Sequence, residues 1–248
     1  MAIIAAYSTL DACKTYLSLA SQDISDDAEI MRFIRNASRA VDRYTRRKFY
    51  PRVETRYYDY DESKRIKLDD DLLAISSLTT QNGASPIANS ILILKTGDNY
   101  NHSPFSTVVI NSSAGSVLSF SGTDEKANQI LGTWGYNEDY GNAWLDTGTS
   151  LAASYAASGG SISLAGAGST GTGASDILGD TPRISIGDLL RIGDEFFEAI
   201  GAGSVATIAT VVPYANGTTA ASHPSGTSIA KFVYEPDIEF ATRRLAVW

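Results

Sequence analysis

Between Ser25 and Pro51, apolar and charged positions recur at helical spacing. At about 100° per residue, Ile30, Phe33, Ile34, Ala37, Ala40, Val41 and Tyr44 fall in one sector. Arg32, Arg35, Arg39, Arg43 and Arg46 fall on the opposite side. The pattern predicts one long helix that buries one face and presents a ladder of guanidinium groups on the other. Ser25 suits the N-cap, and Asp26, Asp27 and Glu29 suit the positive end of the helix dipole. Arg46, Arg47 and Lys48 suit the negative end, and Pro51 stops continuation. A shorter helix is expected over Leu10 to Leu19, capped by Ser8 or Thr9, with Leu10, Cys13, Tyr16 and Leu17 at helical spacing. The chain closes on a third helix. Pro236 sits in its first turn, and Ile238, Ala241, Leu245 and Trp248 share a face that can pack on the long helix.

From Val53 the period changes to two. Val53 to Tyr60 reads as a strand, and Asp61 to Lys64 as a turn. Arg65 to Leu68 is a short strand interrupted by Asp69, Asp70 and Asp71. Ile75 to Thr80 is another strand and runs into Asn82-Gly83, a hairpin signal. Ser90 to Lys95, Thr107 to Ile110, Val117 to Phe120 and Gln129 to Trp134 complete a set of short strands.

After Tyr136 the composition shifts. Thr147 to Ser175 carries no charge and is rich in Gly, Ala, Ser and Thr, with Leu151, Tyr155, Ile162 and Leu164 marking strand character. Gly187-Asp188, Gly193-Asp194 and Asn216-Gly217 then punctuate β-like runs as far as Val233. The expected fold class is α+β. A small helical bundle built from both chain ends stands beside a short-stranded antiparallel sheet, and an all-β module is inserted. The expected domains are residues 1–146 with 232–248, and residues 147–231.

Charge changes this picture. The 248-residue chain has a net charge of −8. Nine basic and two acidic residues lie between Arg32 and Arg56, leaving that stretch at +7 and the remainder at −15. The global balance argues against a protein that coats nucleic acid, and the local balance leaves a basic stripe to explain. Three readings stand for the arginine ladder: a solvated face with local ion pairs, an interface with the acidic surface of a neighbouring copy, or a surface near nucleic-acid phosphates. Arginine in place of lysine favours fixed bidentate partners. One cysteine, Cys13, excludes an internal disulfide. The start of the chain lacks the basic region of a signal peptide, and no apolar run approaches the roughly 20 residues of a membrane span.

Candidate chemistry is sparse. Asp59, Asp61, Glu62, Asp69, Asp70 and Asp71 are dense enough for paired-carboxylate or calcium chemistry, but they sit in turns without the EF-hand spacing. His102 and His223 stand apart in loops and form no zinc pattern. Gly166 to Gly173 resembles a phosphate loop but lacks its Gly-Lys-Ser/Thr ending. No enzyme activity, metal or cofactor is expected. Tyr155, Phe196, Phe197 and Tyr214 of the β module are either surface contact aromatics for a carbohydrate or receptor, or residues of the module's core.

Several linked pieces resemble the head-to-tail connector (neck adaptor) proteins of tailed bacteriophages. They are Tyr16-Leu17, Asp26-Asp27, the helix with Ile34-Arg-Asn-Ala-Ser38, and Tyr44-Thr-Arg-Arg-Lys-Phe-Tyr-Pro51. Glu54-Thr-Arg-Tyr-Tyr-Asp59, the run Leu68 to Leu78, Thr133-Trp-Gly-Tyr136 and Pro236 to Ala241 follow in order. The resemblance covers residues 1 to about 145 and 234 to 248. Arg183 to Ile229 looks like a small β unit of phage structural proteins, and its insertion departs from the minimal pattern. The resemblance implies a virion protein at the neck, assembled in the host cytoplasm. Copies would form a homo-oligomeric ring, commonly twelvefold, under the portal protein. That ring would extend the DNA channel and offer a docking surface to a tail or stopper protein, with genomic DNA in passing contact and no membrane involved. Arg32, Arg35, Arg39, Arg43 and Arg46 would then face a neighbouring subunit or the channel. Arg243, Arg244 and Trp248 would be candidates for portal contact.

Overall fold

The computed structural model describes residues 6–20, 23–61, 64–97, 100, 102–111, 118, 123–157, 159–165, 182–202 and 208–248. Two helices come first, α1 (Leu10–Tyr16) and α2 (Asp27–Thr45). Six strands follow: β1 (Arg52–Tyr58), β2 (Arg65–Thr80), β3 (Ser85–Ile87), β4 (Leu92–Lys95), β5 (Phe105–Ile110) and β6 (Asn128–Trp134). Six more are β7 (Trp144–Ser150), β8 (Ser161–Ser163), β9 (Leu189–Ile192), β10 (Glu195–Ala202), β11 (Ile208–Val212) and β12 (Ser228–Phe232). The last element is α3 (Pro236–Val247). Contacts divide the chain into two compact units, Met1–Arg46 with Gly141–Trp248, and Arg47–Tyr140.

The unit Arg47–Tyr140 is an antiparallel sheet in the order β1-β6-β2-β5-β4, with β3 paired to β2. Its core gathers Ile66, Leu72, Leu78, Val108, Ile130 and Trp134. The three aspartates at positions 69–71 do not interrupt it. β2 runs through them as one strand of 16 residues, with register shifts between Lys67 and Leu72 that accommodate the polar run. The carboxylates are neutralised from across the sheet. Arg56 Nη2 lies 2.8 Å from Asp70, its Nη1 3.2 Å from Asp69, and Arg52 also pairs with Asp70.

The other unit carries a second antiparallel sheet, in the order β7-β12-β9-β10-β11-β8. Leu151, next after β7, bridges Leu164, next after β8. Backbone bonds Ala152 N→Ser163 O and Ala165 N→Ser150 O, both 2.8 Å, flank that bridge. The ladder therefore returns on itself and closes as a six-stranded barrel, leaving no long open edge. Leu151, Ile162, Leu164, Leu190, Phe197 and Ile229 fill its core.

The three helices belong to the barrel's unit. Thr9 caps α1, its hydroxyl accepting from Ala12 N, and Leu10 N donates to Ile186 O at 3.0 Å. Leu10, Cys13, Ile30, Met31 and Ile34 form a helical core with Ile186 and Ala246 packed against it.

The expected fold class is thereby corrected. With twelve strands in two six-stranded sheets and three helices, one of them seven residues long, the described chain is mostly β, not a helical bundle beside a small sheet. The charged run conceals the continuity of β2, whose pairing is decided across the sheet, whereas the strand character marked by Ile162 in the Gly/Ser-rich stretch is found in β8. The composition boundary at 146/147 falls inside β7, and the helices share their unit with the later strands. The expected long helix ends at Thr45, because Arg46 turns to a left-handed φ of 57° and the chain leaves for β1. Gly166 to Gly173 and nearly all of the expected strand Val117 to Phe120 lie outside the described residues.

Candidate functional site

The outer face of α2 follows from one anchor, Tyr7, which is wholly buried. Its backbone N–H donates to Ser38 Oγ at 3.0 Å, and its hydroxyl donates to Asp42 Oδ1. These bonds draw Ser38 and Asp42 inward. The buried stripe becomes Ile30, Met31, Ile34, Ala37, Ser38, Val41 and Asp42. Two residues assigned to the apolar face are left outside: Phe33 is 45% exposed and Tyr44 92%. Apolar periodicity missed this rotation because the anchors on α2 are polar.

The arginine ladder is divided. Arg32 pairs with Glu29 one turn earlier in the same helix. Arg35, half-buried, reaches Glu198 on β10 at 2.9 Å. Burial raises the Glu198 carboxyl above the usual carboxylate range, and the Arg35 guanidinium opposes that rise. Arg39, Arg43 and Arg46 are exposed and make no ion pair with a described residue. Sequence spacing brought all five to one side of the helix but gave no sign of Glu198, which stands 163 positions from Arg35.

Beside the ladder, α2 and β10 border an open groove of about 750 Å³. Leu10, Met31, Ile186 and Ile200 supply apolar lining, and Arg32, Arg35 and Arg39 also line it. On α3, Arg243 is held by Glu239 at 2.7 Å, Arg244 lies 5.8 Å from the Phe240 ring centre, and Trp248 is fully exposed.

The aromatics considered for carbohydrate contact are mostly core. Tyr155, Phe196 and Phe197 are buried, and only Tyr214 is exposed, at 53%. Their neighbour His223 is buried too. Its Nε2 lies 3.0 Å from Glu195 Oε2, and the ring sits between Tyr155 and Phe197. Glu195 also accepts from Tyr214 N and Ala221 N at 3.0 and 2.9 Å. This cluster fixes the loop from β11 to β12 and presents no open face to a substrate.

The acidic residues of β2 serve the sheet. Arg56 lies over the Trp134 ring at 4.4 Å and is surrounded by Glu54, Asp69 and Asp70. Burial of Asp69 is outweighed by the Tyr58 hydroxyl and Arg56, which hold its carboxyl below the ordinary range. A second cleft, of about 380 Å³, is lined by Asp11, Asp188, Lys231, Glu239 and Arg243. Among the described residues no group of three or more His, Cys, Asp or Glu is placed to hold a metal ion. No helix among them is long and apolar enough to cross a membrane.

No family model, curated protein or solved structure matches the chain.

Proposed function

We propose that the chain is a non-catalytic structural subunit that assembles with copies of itself through the outer face of α2, as the head-to-tail adaptor ring of a tailed phage. The observation that carries this reading is the exposed row of Arg39 and Arg43, which have no ion-pair partner among the described residues, on a chain whose net charge is −8. Arginine is enriched at interfaces and among the residues that carry their binding energy. A basic stripe on an otherwise acidic subunit is also self-complementary between different patches, as ring closure requires. The ordered motifs from Tyr16 to Ala241 supply the choice of neck adaptor, with portal protein and a tail or stopper protein as neighbours in the virion. In that place an acidic lumen lets DNA pass with few phosphate contacts.

The test is assembly of the double variant Arg39→Glu, Arg43→Glu. Rings seen by electron microscopy for the natural chain should be absent for the variant, while its far-ultraviolet dichroism is unchanged. Normal rings from the variant would refute the interface. Location of the chain away from the neck in a particle reconstruction would refute the adaptor.

A further inference from the structure

We infer that the groove bordered by α2 and β10 receives the first turn of α3 from a second copy of the chain, joining subunits head to tail. The inference rests on the assembly reading above and names its acceptor and its counterpart.

The groove sets the chemistry of its occupant. Its apolar lining includes Ile200, which is 42% exposed, and Met31 and Ile186. Three guanidinium groups join that lining, with one carboxylate, Asp27, which Lys14 already neutralises. Glu29 and Glu198 neutralise Arg32 and Arg35, but Arg39 has no carboxylate partner among the described residues. The Arg35 Nε is buried without a hydrogen-bond partner, an unsatisfied donor beside the groove. An occupant must therefore bring carboxylates together with an apolar side chain.

The start of α3 has that composition. Glu235, Asp237 and Glu239 lie within five residues, and Phe240 follows them, 50% exposed. Glu239 is engaged by Arg243, whereas exposed Asp237 accepts from its neighbour Ile238 N at 2.9 Å and has no cation partner among the described residues. Groove and counterpart are separate patches. The α2 residues of the groove include Met31, Arg35 and Arg39, whereas Phe33, Ala37 and Ala40 border the end of α3, and Asn36 between them borders both. At about 100° per residue these two sets lie on different flanks of the helix. Two unlike patches on one subunit give a heterologous contact, the kind that closes a ring or runs on as a filament.

The experiment is a charge exchange in the full chain, read by mass photometry and sedimentation velocity over a concentration series. Arg39→Glu alone and Asp237→Arg alone should each raise the concentration needed for assembly by about tenfold or more. The double variant Arg39→Glu, Asp237→Arg should return it to within about threefold of the natural chain, since the pair is restored with its signs reversed. Arg39→Gln and Asp237→Asn should move assembly the same way by less, and they cover the case of a reversal that misfolds. If the natural chain forms rings and the single variants assemble as it does, or the double variant is no better than the worse single, the groove assignment is overturned and the ring reading stands. If the natural chain forms no closed oligomer at any concentration, both fall.

Discussion

In the open sheet of Arg47–Tyr140, charge lies over the core as a cover. Arg56 stacks on Trp134 and shares three carboxylates, whose Asp69 is 74% exposed. In the barrel, a carboxyl group is taken inside. Glu195 is 1% exposed and each of its contacts is a single bond that no other group duplicates. The difference is one of redundancy. Partners that are several, and range from 20% exposed at Asp70 to 74% at Asp69, can replace one another, so the loss of any one costs little. A buried acceptor that satisfies two backbone N–H groups cannot be replaced, because removing it strands them.

The largest effect should come from the barrel. Glu195→Ala should lower unfolding stability by about 3–5 kcal/mol, measured by urea denaturation of the full chain. Glu195→Gln, which keeps one acceptor oxygen, should lose less. A cost below that of the Arg56 variant would erase the contrast between the two sheets.

Asp188 gives a second, pH-dependent test on the same unit. Its carboxyl is buried, which raises its pKa from 3.8 to about 6, while Lys231 and the bond from Ser185 N at 2.6 Å partly oppose the rise. The folded state then holds the proton more tightly than the unfolded chain. Stability from this group is full below about pH 4 and is lost as pH rises towards 6. Asp188→Asn keeps the acceptor for Ser185 and cannot ionise. Relative to it, the natural chain should lose on the order of 2–3 kcal/mol between pH 4 and pH 6.5. Parallel stability curves over that range would show that Asp188 does not retain its proton on folding.

Arg56→Ala should cost about 1–2 kcal/mol through lost stacking on Trp134 and unpaired carboxylates. The part due to ion pairs should shrink in 1 M salt, whereas the Glu195 effect should persist. The smallest effect is expected on α2. Arg39→Glu with Arg43→Glu should change monomer stability by no more than about 0.5 kcal/mol, because neither side chain has an ion-pair partner within the described chain. A large loss there would mean that these arginines hold the fold and not a neighbour.

Much of the local structure was legible. The turn at Gly193-Asp194 lies between β9 and β10, Pro236 opens α3, and the periodicity of α2 places its arginines on one side. These are short-range features, fixed by backbone preference and by spacing along a single element. Whether a charged run such as Asp69 to Asp71 breaks a strand is a different kind of question. It depends on Arg52 and Arg56 in another strand, and no pattern within the run could report them. The buried face of α2 is similar, because Tyr7 turns it through two polar contacts from a residue 31 to 35 positions away.

The amino-acid order by itself therefore determined where α1 and α3 begin, though not α2, whose cap position is Asp26 and not Ser25, along with the uneven spread of charge and the row of guanidinium groups on α2. The tertiary structure decided that strand outweighs helix in the described chain, that the later strands close into a barrel, and which arginines have no ion-pair partner among the described residues. The physical reason is range. Periodicity, caps and turn residues act over one helical turn or one hairpin, whereas strand pairing and ion-pair neutralisation depend on partners that only the folded backbone brings within about 4 Å.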